Sequence, residues 1–185
     1  MKDYKMIIGI DPGANGSIVY MKMKDGETPE LPVSVKMPKD FKEINAYLKE
    51  ITEGFDRSIC FIEKVGMNPS DMVGGKAFGI QKLLRNFEFL KAALIENNVG
   101  FIQVHPQTWQ SQLKLKLPRI EAKKESKTER KNRYKRIAQQ YFPATEIRLW
   151  NSDALLLVYF GHMKLTTDEQ YIRENCPEID FDILF

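Results

Sequence analysis

The chain has 185 residues, 43% of them apolar, with a net charge of +3 and two cysteines. This length suits one domain with a well-buried core, and the absence of any run of about 18 apolar residues excludes a transmembrane helix. The opening Met1-Lys2-Asp3-Tyr4-Lys5 lacks a signal-peptide core, and Cys60 lies in an apolar run far from Cys176, so a buried free thiol and a cytoplasmic setting are expected.

The first third reads as a β-meander. One strand is predicted at Met6–Asp11 and a second at 16–24, followed by the hairpin turn signal Asp25-Gly26. A third strand, 32–37, lies among Pro29, Pro32 and Pro38 and is expected at a sheet edge. After Asp40, a helix N-cap, the period changes: Phe41, Ile44, Leu48 and Ile51 recur at helical spacing until Gly54. The continuous apolar run 58–62 has the character of a buried central strand, and it ends in Glu63. A flexible stretch with three glycines is expected over 66–75 and contains Met67 and Met72. A long helix at 76–98 carries a stripe of Ile80, Leu83, Leu84, Phe87, Leu90 and Leu94. A fifth strand follows at 101–104, and Pro106 stops it.

Segment 113–136 carries eleven Lys or Arg against three Glu, a net +8, which leaves −5 for the rest of the chain. An excess of this size is the footprint of a polyanion partner, although a solvated helix face with Glu–Lys pairs also accommodates many charges. Pro118 breaks its regularity, and the segment becomes helical over 127–142 before Pro143. A last helix is predicted at 152–164, opening at Asn151-Ser152-Asp153, with His162 near its end as a capping cation. Residues 1–166 are expected to form the domain, with 167–185 an acidic tail. The order β-β-β-α-β-α-β-α-α indicates an α/β fold. Its mixed five-stranded sheet would have three antiparallel N-terminal strands, then parallel strands, flanked by helices.

Three acids stand at element ends. Asp11 closes the first strand before the sharp Pro12-Gly13 turn, Glu63 closes the fourth, and Asp153 lies in the first turn of the last helix. Each has an ordinary alternative role: turn former, surface ion pair with Lys64, and helix-dipole partner. Burying an ionised carboxylate without a partner costs several kcal/mol or raises its pKa. If strands one and four are neighbours, two carboxylates emerge at one edge, and a helix packed there adds the third. Oxygen ligands suit hard cations such as Mg²⁺, and two such ions roughly 3.5–4 Å apart can promote hydrolysis of a phosphodiester.

Gly9-Ile10-Asp11-Pro12-Gly13, then Ile62-Glu63, then Asp153-Ala154-Leu155-Leu156-Leu157 resembles the RuvC-type Holliday junction resolvases of the RNase H-like superfamily. The continuation Val158-Tyr159-Phe160-Gly161 is most similar to phage and mobile-element members. Ala77-Phe78-Gly79 in the long helix, Val104-His105-Pro106-Gln107-Thr108-Trp109, and the basic helix ending Phe142-Pro143 extend the resemblance over about residues 6–164. The resemblance implies a homodimer that binds four-way DNA junctions and nicks two strands symmetrically with Mg²⁺ or Mn²⁺, leaving ends that ligase can seal. It makes Asp11, Glu63 and Asp153 the catalytic metal ligands. It makes Lys123, Lys124, Lys127, Arg130 and Lys131 candidate DNA contacts, and it puts Met67 and Met72 where family members probe the junction centre. One departure is clear: many members carry a fourth acid three residues before the last, and here that position is Trp150.

Three other readings stay open on the sequence. Trp150 allows a non-catalytic junction-binding module, and an RNA-directed member of the same superfamily is also compatible. Gly-Ile-Asp-x-Gly also opens actin-like and sugar-kinase folds, but that architecture duplicates its domain and no second Asp-x-Gly is present. His105 is a candidate water-activating or phosphate-contacting group, and Trp109 is expected in the core.

Overall fold

The computed structural model describes residues 4–23, 29–66 and 77–167. The Asp25-Gly26 turn signal, Met67, Met72, Cys176 and the acidic segment 168–185 lie outside the described residues. The elements are β1 (Met6–Asp11), β2 (Ser17–Lys22), β3 (Val33–Lys36), α1 (Phe41–Thr52), β4 (Ser58–Glu63), α2 (Ala77–Glu96), β5 (Gly100–Val104), α3 (Pro106–Gln112), α4 (Arg119–Lys124), α5 (Lys127–Tyr141) and α6 (Ser152–Thr167).

The strands form one sheet in the order β3-β2-β1-β4-β5. β2 runs antiparallel to both β1 and β3, whereas β4 is parallel to β1 and β5 is parallel to β4. This is the mixed sheet expected from short links early in the chain and helical crossovers later. Register carries this topology to one edge. Asp11 pairs with Ser17, Ser17 pairs with Lys36, and Ile10 pairs with Ile62, so Glu63 follows one step beyond.

Side chains alternate between the two faces with period two. Met6, Ile8, Ile10, Cys60 and Ile62 pack with α1 and α2, and Cys60 is a buried free thiol. Ile7, Ile59 and Phe61 pack with α6 on the other face. Continuing that alternation, Asp11 and Glu63 fall on the α6 side. The helix comes very close there. A Cβ at Gly9 would collide with the Ala154 carbonyl and Val158, and a Cβ at Gly161 would collide with the Phe61 ring. That contact sets the N-terminus of α6, and with it Asp153, over the ends of β1 and β4.

α5 lies beside α6, with Tyr141 and Tyr159 stacked at 3.7 Å between ring centroids. A capping box fixes the start of α5: Glu129 N donates to Ser126 Oγ at 3.2 Å, and Ser126 N donates to Glu129 Oε2 at 2.7 Å. Arg133 then clamps the preceding arm. Its Nε and Nη2 donate to the two Glu125 oxygens at 2.7 and 2.9 Å, and Nη1 donates to the Leu115 carbonyl.

The structure corrects three local expectations. Pro106 ends β5 and also begins α3, and Pro118 caps α4; proline lacks the N–H that a first turn leaves unpaired anyway, so it starts helices as readily as it stops strands. α6 continues to Thr167, which leaves His162 inside the helix. Burial lowers its pKa and its buried Nδ1 has no partner, so it is neutral rather than a capping cation.

Candidate active site

Asp11, Glu63 and Asp153 line one open cleft of about 1050 Å³, together with Lys131. Each carboxylate is oriented by its own donor. Gly13 N donates to Asp11 Oδ1 at 3.2 Å, which is the work of the Pro12-Gly13 turn. Trp109 Nε1 donates to Glu63 Oε2 at 2.9 Å from a fully buried ring on α3. Ser152 Oγ donates to Asp153 Oδ1 at 3.0 Å at the start of α6. The Lys131 ammonium reaches in from α5, 2.6 Å from Asp153 Oδ2 and 3.8 Å from Asp11 Oδ2.

Electrostatics follow from that crowding. Burial, then the Asp11 and Asp153 charges, push the Glu63 carboxyl up to about 7, against the Trp109 hydrogen bond and the Lys131 charge that favour ionisation. Burial and Asp153 also raise Asp11, while Lys131 and the Gly13 N–H oppose the shift. Burial alone would pull the Lys131 ammonium down, but Asp153, Asp11 and Glu63 hold it above its usual value. The cluster therefore has a deficit of positive charge even with Lys131 inside it.

A divalent cation fits this deficit. The donors are carboxylate oxygens with no softer ligand among them, the set preferred by Mg²⁺ and Mn²⁺. As the side chains stand, no three His, Cys, Asp or Glu among the described residues close tightly enough to grip one ion, and the Lys131 ammonium lies beside Asp11 and Asp153.

The other sequence candidates divide. Lys127 and Arg130 line the same cleft. Lys123 and Lys124 are exposed on the last turn of α4 and do not line it. His105 is exposed and also absent from its walls, whereas Trp109 belongs to the core as expected. Sequence reasoning missed Lys36, Lys39 and Gln110 as cleft residues and took Trp150 only as a missing acid. The signal for Lys36 was present: it ends the strand next to β2 and so shares an edge with Asp11. A neighbouring cavity of about 450 Å³ shares Gly13, Ala14, Met37 and Lys39 with this cleft and extends to Lys82 and Arg85 on α2.

A five-stranded mixed sheet in this order, flanked by helices, with acids at the ends of β1 and β4 and at the head of α6, is an RNase H-like fold. No protein-family model matches the chain, and no curated protein sequence does. Among solved structures, Thermus thermophilus RuvC in complex with a Holliday junction substrate superposes with a TM-score of 0.54 at 14% identity, over 86% of this chain and 94% of that one. Thermus thermophilus RuvC by itself gives a TM-score of 0.53 at 16% identity, over 86% and 95%. The chain thus has the RuvC form of the RNase H-like fold; at these identities the likeness is one of fold.

Proposed function

We propose that the chain is a divalent-metal-dependent DNA endonuclease that acts as a homodimer and resolves four-way junctions by paired, symmetric nicks. The observation that carries this reading is the convergence of Asp11, Glu63 and Asp153, from three separate elements, in one cleft edged by Lys36, Lys39, Lys127, Arg130 and Lys131. The RuvC fold supports the choice of branched DNA over other polyanions.

Asp11, Glu63 and Asp153 would hold the ion or ions. A divalent cation bound there supplies activation of water and stabilises the charge that develops on the phosphate oxygens. Hydrolysis adds water across one P–O bond, leaving a phosphate on one end and a hydroxyl on the other. The chain's own residues supply position and charge. Trp109, Gly13 and Ser152 each orient one of the three carboxylates through a hydrogen bond. Lys131, freed from Asp153, turns its ammonium to the phosphate, and Lys127 and Arg130 hold the flanking backbone. In this reading the nuclease domain runs through α6, which ends at Thr167, one residue past the expected boundary, and 168–185 is an acidic segment.

A purified sample should nick a synthetic four-way junction in Mg²⁺ or Mn²⁺, at paired positions on opposing strands, and leave a linear duplex of the same sequence largely intact. Equal cutting of both substrates would remove junction selectivity. The Lys131–Asp153 ion pair and the Trp150 departure favour a second reading, a junction-binding protein without catalysis. Tight junction binding with no cutting in either metal would select it.

A further inference from the structure

Trp150 stands where a fourth acid is common among the resolvases, but its surroundings are not those of a vacant ligand position. The indole is partly exposed and forms part of the same cleft wall as Asp11, Glu63 and Asp153. The Lys36 ammonium sits over the ring, 5.9 Å from its centroid. Leu149 beside it is 41% exposed and lines the cleft as well. The turn that carries the ring is stapled in place. Asn151, only 2% exposed, accepts from Arg148 N at 2.7 Å and donates to Ser34 Oγ on β3 and to the Glu146 carbonyl, each at 3.2 Å. A rigid aromatic surface with a cation over it, a few residues from buried carboxylates, combines what a nucleotide presents: a flat apolar base and a phosphate.

We propose that Trp150, with Lys36 and Leu149, is a nucleobase platform. It stacks the base next to the phosphodiester held over Asp11, Glu63 and Asp153, while Lys36 meets that nucleotide's backbone phosphate. This assignment rests on the nuclease reading for the identity of the strand, but it concerns binding and can be read without metal or cleavage. The position becomes a determinant of local sequence preference, with purines favoured because they offer the larger stacking surface.

The test is binding of a labelled four-way junction in EDTA, with tryptophan emission recorded in parallel. The chain has two tryptophans, and Trp109 is fully buried but bonded to Glu63, so the part of a DNA quench that disappears in Trp150→Phe reports Trp150. Trp150→Ala should weaken binding by at least about fivefold, the low end of what one lost base–aromatic stack costs, without changing the salt slope, because no phosphate contact is removed. Trp150→Phe should restore most of the affinity and abolish the Trp150 part of the quench. Unchanged wild-type emission at saturating junction, or a Trp150→Ala affinity within twofold of wild type, would overturn the platform and leave the nuclease reading standing. Loss of Mg²⁺-dependent cutting with a normal quench would do the reverse. If the wild type binds no junction even at low salt, both fall.

Discussion

Glu63 has a chemistry far from that of a surface acid. In the metal-free protein its carboxyl titrates at about 7, against an ordinary value of 4.5. A group whose pKa is raised by folding contributes stability below its unfolded value and loses it as pH rises through the folded one. The metal-free protein should therefore lose stability between about pH 4.5 and 7, and Asp11, shifted in the same direction, adds to the loss. Glu63→Gln keeps an acceptor for Trp109 Nε1 and removes the titration. Thermal unfolding in EDTA should show this variant more stable than wild type at pH 8, with the difference shrinking to nothing as the pH falls below 4.5. A wild-type advantage at pH 8 would mean that the carboxylate is not strained. Mg²⁺ should narrow the difference at pH 8, because binding draws on the ionised form. All three acids were legible in the sequence, because Asp11 and Glu63 close apolar strand-like runs and Asp153 opens an apolar helix. Lys131 was legible only as one positive charge among eleven. Which lysine turns inward depends on how α5 rolls against α6, and a stretch this polar carries little periodic signal for that.

At the scale of elements, the site depends on how closely α6 rides over β1 and β4. Gly9 and Gly161 allow that approach, and both contacts are with atoms that cannot move aside cheaply: a helix carbonyl in one case and a fully buried Phe61 ring in the other. Gly9→Val should destabilise the fold by about 1–3 kcal/mol, the usual penalty for overpacking, measured by urea unfolding. It should also lower metal affinity by lifting Asp153 away from Asp11. Wild-type stability and metal affinity in this variant would contradict the packing described. α1 and α2 were readable from their 3.6 period, β1 and β4 as short continuous apolar runs bounded by turns, and α6 as a long apolar run opened by Asn151-Ser152-Asp153. α3 and α4 were not. Each is short, each begins at a proline, and neither has room for a full apolar stripe. The neutral state of His162 was hidden for a related reason, since the end of α6 was set by packing that continues to Leu165 rather than by a stop signal.

For the whole molecule, charge is segregated as sharply as any structural feature. Segment 113–136 carries +8, and residues 168–185 carry six acids against one Arg, a net −5. We propose that this acidic tail competes with DNA for the basic surface. Its removal should tighten junction binding, with the gain largest at low salt, where charge repulsion is least screened; unchanged affinity across salt concentrations would dismiss the competition. The chain-wide asymmetry was visible in composition. The meeting of Asp11, Glu63 and Asp153 was expected once β1 and β4 were taken as neighbours; that Lys131 turns inward and Trp150 walls the same cleft was not, because it depends on how α5 and the turn before α6 pack. The claim on which the rest depends is that Asp11 serves catalysis by holding a metal rather than by shaping the turn. The most direct test compares wild type and Asp11→Asn for both binding and cleavage of one four-way junction across Mg²⁺ concentrations. Loss of a ligand worth several kcal/mol of transition-state stabilisation should slow cleavage at least about a hundredfold, with binding in EDTA equal to wild type or tighter. Cleavage by Asp11→Asn within a few-fold of wild type, or a parallel loss of binding and cleavage, would contradict the account.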